Sequence, residues 1–70
     1  MTVEELLNMI LEDINGQGHV TYSDNRFAHI IIEKCEEIMK LANERNEPLY
    51  RKISADGKIS FARNREDLPN

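Results

Sequence analysis

What these 70 residues lack sets their bounds before anything else does. There is no tryptophan, and there are only two prolines, three glycines and a single cysteine, Cys35. One thiol excludes an internal disulfide, and a chain this short sits near the limit at which a single hydrophobic core is stable alone. A second subunit is then the favoured staple, and a homodimer the expected state. The apolar runs fall far short of the ~20 residues a membrane span needs. No basic stretch precedes an apolar run, so no signal peptide is expected. A lone thiol inside an apolar pattern suits a reducing compartment, which makes a cytoplasmic location the expectation. Positive charge is scarce as well. Residues 1–47 hold ten of the thirteen acids but four of the nine bases, within a net charge of −4. That balance argues against tight nonspecific binding to DNA, which needs an electropositive face. Without repeats, low-complexity tracts or a linker, the chain reads as one domain over about residues 1–64, with 65–70 a polar, disordered tail.

The residues that are present fall into periodic order. In MTVEELLNMILEDING, apolar residues at 3, 6, 7, 10, 11 and 14 recur at helical spacing. They cover an arc of roughly 140°, which leaves Met9 on the polar side. Thr2 and Glu5 match a capping box, Met1 and Leu6 the two positions of a hydrophobic staple, and Gly16 a left-handed helix end. A first helix is therefore expected over about residues 2–15. The connection GQGHVTYSDN bends, and Val20 with Tyr22 can form a short extended piece. Thr21 or Ser23 then starts a second helix, with Asp24 suited to its dipole. This second helix is expected over about residues 24–45. Its apolar residues, from Phe27 to Ala42, span roughly 200°, wider than one packed neighbour needs. The strand-like run Ile30-Ile31-Ile32 is outweighed by the length of the pattern and the Glu36–Lys40 spacing. Asn46 and Pro48 close the helix.

After Pro48 the period changes to two. LYRKIS and KISFAR flank Ala55-Asp56-Gly57, and the register decides which loop joins them. A two-residue Asp-Gly turn mixes apolar and polar residues on both faces. A three-residue loop with Gly57 left-handed sets Ile53 opposite Ile59 and Arg51 opposite Phe61, gathering Leu49, Ile53, Ile59 and Phe61 on one side. The buried face chooses the register, so the three-residue loop is expected. The fold class is α+β: two helices followed by a β-hairpin, about residues 49–54 and 58–63, packed on the second helix.

Little of this looks catalytic. An EF-hand read through Gly57 would place Lys52 and Arg63 at its first and last ligand positions, where oxygen ligands are required. His29, Glu33 and Glu36 follow one helix face, but no second ligand set accompanies them, and a solvated stripe is the expected reading. Cys35 lies mid-arc among apolar residues, where thiols are inert packing groups. GQG lacks the strand-loop-helix setting and the lysine of a phosphate loop. No enzyme activity, cofactor or metal is expected. The basic residues Arg51, Lys52, Lys58 and Arg63, with Tyr50 beside them, make a hairpin surface that a nucleic acid could use. Cations on short exposed strands also guard against edge-to-edge pairing. Acids at helical spacing could conversely imitate a phosphate backbone, although most are a solubility device. The expectation is a small non-enzymatic protein-binding module, an accessory regulator or inhibitor of bacterial or phage type. The alternative is a dimeric nucleic-acid binder using the hairpin. The surplus apolar arc points to self-association along Ala28, Ile32 and Met39.

Overall fold

The capping box sets the start of the first helix, α1 (Val3–Ile14), in the computed structural model, which describes residues 1–69. Thr2 Oγ1 accepts from the Glu5 amide at 3.1 Å, and the Thr2 amide donates to Glu5 Oε1 at 2.9 Å. Two of the amides that a helix start leaves unpaired are thereby satisfied. The same two bonds hold the Glu5 carboxyl below the usual carboxylate range, with the Thr2 amide the larger influence. Leu6, Leu7, Ile10, Leu11 and Ile14 are buried. Met9 is half-buried against this core rather than solvent-facing, which its flexible thioether allows. Met1 is 65% exposed, so the staple to Leu6 does not close. The left-handed glycine is Gly18, φ +82°, and not Gly16. The Gln17 and Gly18 amides both reach the Ile14 carbonyl, at 3.2 and 2.9 Å, so the chain makes one further turn before reversing.

Reversal at Gly18 leads straight into a strand, β1 (His19–Tyr22). The next helix then starts on Asp24, not on Thr21 or Ser23. Asp24 Oδ1 accepts from the Arg26 and Phe27 amides at 3.0 and 3.1 Å. Where one helix is expected over 24–45 there are two, α2 (Asn25–Glu33) and α3 (Cys35–Glu44), separated by Lys34 at φ −98°, ψ 9°. Three successive β-branched residues end α2, where each loses side-chain freedom against the preceding turn. Glu36 and Glu37 then occupy the first turn of α3, the end of a helix where negative charge is favourable. α3 ends in a Schellman motif. Asn46 is left-handed at φ 58°, its amide reaches the Asn43 carbonyl at 3.1 Å, and the Glu47 amide reaches Ala42 at 2.9 Å.

The hairpin has the expected register. In β2 (Tyr50–Ile53) and β3 (Ile59–Ala62), Ile53 faces Ile59 and Arg51 faces Phe61. The Gly57 amide closes a turn onto the Ser54 carbonyl at 3.1 Å, and Gly57 sits at φ +87°. The hairpin is not alone, however. β1 pairs antiparallel with β3, so the sheet has the order β1-β3-β2 and β3 is its central strand. All four β3 residues are buried, and all four β2 residues are exposed. Ile53 shares the inner face with Ile59 but is 47% exposed, because it lies at the margin of the helical cover.

The helices cover the inner face. The Tyr22 ring on β1 meets Phe27 at the start of α2 edge-on, with centroids 5.6 Å apart. Arg51 on β2 reaches Cys35 at the start of α3. α2 therefore crosses the sheet from β1 to β2. α1 and α3 pack on each other, tied at the rim by Arg45 to Asn8 at 2.8 Å and to Glu4 at 3.7 Å. Phe61, Ile59, Leu6, Ile31 and Ile38 are fully enclosed, each contributing roughly 1.5–3 kcal/mol by leaving water. Past β3, where a polar tail is expected, Arg65–Asp67 form a 3-10 turn and Leu68 and Pro69 are half-buried. Position 70, the last of that expected tail, lies outside the described residues.

Candidate interaction surface

Of the expected self-association edge, one residue is enclosed and two stay partly exposed. Ala28 is fully enclosed in the chain's own core, because it points into the contact between α2, α3 and the sheet. Ile32 and Met39 are half-buried against the same core. The accessible surface is 4704 Å², against about 4,500 Å² for a compact monomer of this mass. A radius of gyration of 10.9 Å likewise matches the ~11 Å expected of 70 residues. The chain fills its interior from its own elements.

The four cations of the hairpin do not converge on one face. Arg51 projects inward: Nη2 lies 2.6 Å from Glu36 Oε1, and Nη1 donates to Cys35 Sγ at 2.9 Å. These two contacts, Cys35 first, hold its guanidinium still more firmly protonated. Lys58 lies 3.5 Å from Asp56, whose carboxyl is lowered chiefly by the hydrogen bond from Ser54. Arg63 lies 3.5 Å from Glu47 at the opposite end of the sheet. Lys52 alone among these four has no carboxylate partner among the described residues; its ammonium donates to the Pro69 carbonyl at 3.0 Å. Three of the four charges are thus met within the chain, which dilutes any phosphate-binding field.

The outer face of the sheet carries a shallow groove lined by Thr21, Lys52, Ser54, Lys58, Ser60 and Pro69. Register places Thr21, Ser60 and Lys52 in one row across the three strands. The buried Ser60 hydroxyl is satisfied by Thr21 at 2.8 Å, so the row spends its polar groups on itself. His29, Glu33 and Glu36 are all exposed, and among the described residues no three metal-ligating side chains gather. Cys35 is buried. No helix among the described residues is long and apolar enough to cross a membrane.

The margin at β2 is different. In an antiparallel pair, residues alternately bond to the partner strand and point away from it. The Ser54 amide bonds to the Lys58 carbonyl at 2.9 Å, so Lys52 and Tyr50 also bond toward β3. The amides and carbonyls of Arg51 and Ile53 then point outward, where the sheet has no further strand among the described residues. Tyr50 and Ile53, 46% and 47% exposed, are two of the four large apolar side chains left in solvent. The hairpin pattern predicts these side-chain faces, but the outward backbone groups emerge only once β1 is known to occupy the other side of β3. Models of known families, curated proteins and solved structures give no match to the chain.

Proposed function

We propose that this chain is a non-enzymatic protein-binding module, a cytoplasmic accessory regulator or inhibitor that engages its partner by strand addition at β2. One observation carries the reading: β2 is a sheet edge whose four residues are all exposed and whose Arg51 and Ile53 backbone groups have no strand beyond them among the described residues. A partner strand would satisfy those groups with its own amides and carbonyls, while Tyr50 and Ile53 supply apolar contact. The solvated acids of α1 and α3 need no further role than solubility.

The test is hydrogen exchange on the complex captured from the native host. The Arg51 and Ile53 amides should gain protection on binding, while those of β1 stay unchanged. Protection confined to α2 and α3 would overturn the site. A steep salt-dependent affinity for generic duplex DNA would overturn the class, since it would mean that phosphate contacts dominate. Sedimentation of the chain alone separates a second copy seated on Ile32 and Met39 from a heterologous partner.

A further inference from the structure

The charges along β2 say what kind of strand fits beside it. Antiparallel pairing of β2 with a copy of itself must match outward-pointing residues, Arg51 and Ile53, with each other. Centred on Lys52, such a pairing sets Lys52 directly against its own copy. Centred on Arg51, it sets Arg51 against itself. Like charges directly opposite across a ladder destabilise it. Centred on Ile53, the ladder runs at once into the turn Ser54–Gly57, where the backbone leaves the strand. Centred on Tyr50, it runs past the start of β2 into residues 47–49, which are outside any strand. Every two-fold register is therefore opposed by charge or cut short.

A strand of the opposite sign meets none of these obstacles. Arg51 and Lys58 already have carboxylate partners in Glu36 and Asp56, surface pairs that orient these cations without removing their charge. Among the described residues Lys52 bonds to a backbone carbonyl and to no carboxylate, and it is on the outer face, in the same row as Ser60 and Thr21. An incoming residue opposite Lys52 would lie on that outer face, and its two neighbours along the strand would lie on the inner face opposite Arg51 and Ile53. Ile53, half in solvent, asks for an apolar neighbour there. Tyr50, two residues from Lys52 on the outer face, asks for a second.

Resting on the strand-addition reading above, we propose that β2 receives an extended segment of another protein that sets a carboxylate opposite Lys52 and apolar side chains opposite Ile53 and Tyr50, while the same cations exclude a second copy of this chain. The pattern sought is an acidic residue flanked by apolar residues, one adjacent and one two positions away on the other side.

A displayed library of random peptides, selected on the full chain and on Lys52→Glu, tests it. Lys52 is exposed, so the variant should fold, and circular dichroism confirms that before selection. Peptides enriched on the parent chain should carry the acidic-apolar pattern and shift the Arg51 and Ile53 amide resonances. Their affinity should fall about fivefold on Lys52→Glu, and that variant should enrich basic peptides instead. Enrichment of edge-binding peptides with no charge preference, or with no change on Lys52→Glu, overturns the acidic partner while leaving strand addition standing. Enrichment elsewhere on the surface, or none, overturns both. A dimer of the parent chain whose Arg51 and Ile53 amides are protected on dilution series would overturn the exclusion of a second copy.

Discussion

Adding one methyl group at Gly57 and the same group at Gly16 should move stability in opposite directions. At both positions a Cβ would meet nothing within 4 Å, so packing drops out of the comparison. What differs is backbone conformation. Gly57 holds φ +87°, a region where an L-residue's Cβ crowds the following carbonyl, at about 1–2 kcal/mol. Gly16 is outside that region, and replacing it with alanine mainly narrows the unfolded ensemble, worth about 0.4–1 kcal/mol in favour of the fold. Against a total of about 4–10 kcal/mol for a domain of this size, either change is measurable. Gly57→Ala should lower the melting temperature by about 5–15 °C and Gly16→Ala should raise it by a few degrees. Asp56→Asn, one residue away, disturbs only exposed contacts to Ser54 and Lys58 and should shift it by about 1 °C or less. Urea denaturation of all three variants at constant slope, alongside thermal melts, gives the free energies. Equal effects at the two glycines, or an Asp56 variant as damaged as the Gly57 one, would refute the left-handed turn and the register built on it.

Further outcomes follow from single contacts. Ile38→Ala empties a fully enclosed site on α3, which packs on α1 and α2; a loss of about 2–5 kcal/mol should leave the chain marginal or unfolded, read by urea midpoint. Thr2→Ala removes the capping box and should cost about 1 kcal/mol, read as a lower melting temperature with native helix content retained below it. Burial first, and then the bond to Asp13 at 2.7 Å, raise the Tyr22 phenol above its ordinary value. Its contribution is complete below the unfolded value near pH 10 and falls away as pH climbs beyond that, because the unfolded chain ionises first. Denaturation midpoints should therefore drop more steeply from about pH 9 to about pH 11 in the parent than in Tyr22→Phe.

Local chemistry was legible where the signal sits within a few residues. The capping box at Thr2 and Glu5, the hairpin register and the left-handed Gly57 all follow from neighbours in sequence. β1 was harder, because its partner is 39 residues away at Ser60. Two signs of it were nonetheless present. The outer-face residues of β3, Ser60 and Ala62, are small and uncharged, as a strand flanked on both sides requires, whereas β2 carries Arg51 and Lys52 as an edge does. His19-Val20-Thr21-Tyr22 is also rich in strand formers. The missed break at Lys34 had its own marker in Glu36-Glu37, acids that suit a helix start but gain nothing in a helix interior.

That break accounts for the apolar arc that pointed to a second copy at Ala28. Projecting residues 24–45 on one wheel assumes a single axis and a constant phase, and Lys34 supplies neither. Taken separately, α2 buries Ala28 and Ile31 and α3 buries Cys35, Ile38 and Ala42, each a narrow stripe that one sheet and one neighbouring helix can cover. Phe27, Ile32, Met39 and Leu41 flank those stripes and are half-buried by the same neighbours. The width on one wheel therefore comes from superposing two faces, and Ala28 within it is spent inside the fold. At the β2 edge, backbone donors and acceptors of Arg51 and Ile53 meet no strand among the described residues, and two exposed apolar side chains flank a lysine with no carboxylate partner among them. A closed core and an open edge make different demands on a partner. Under the strand-addition proposal, the edge takes an extended segment that brings its own hydrogen bonds.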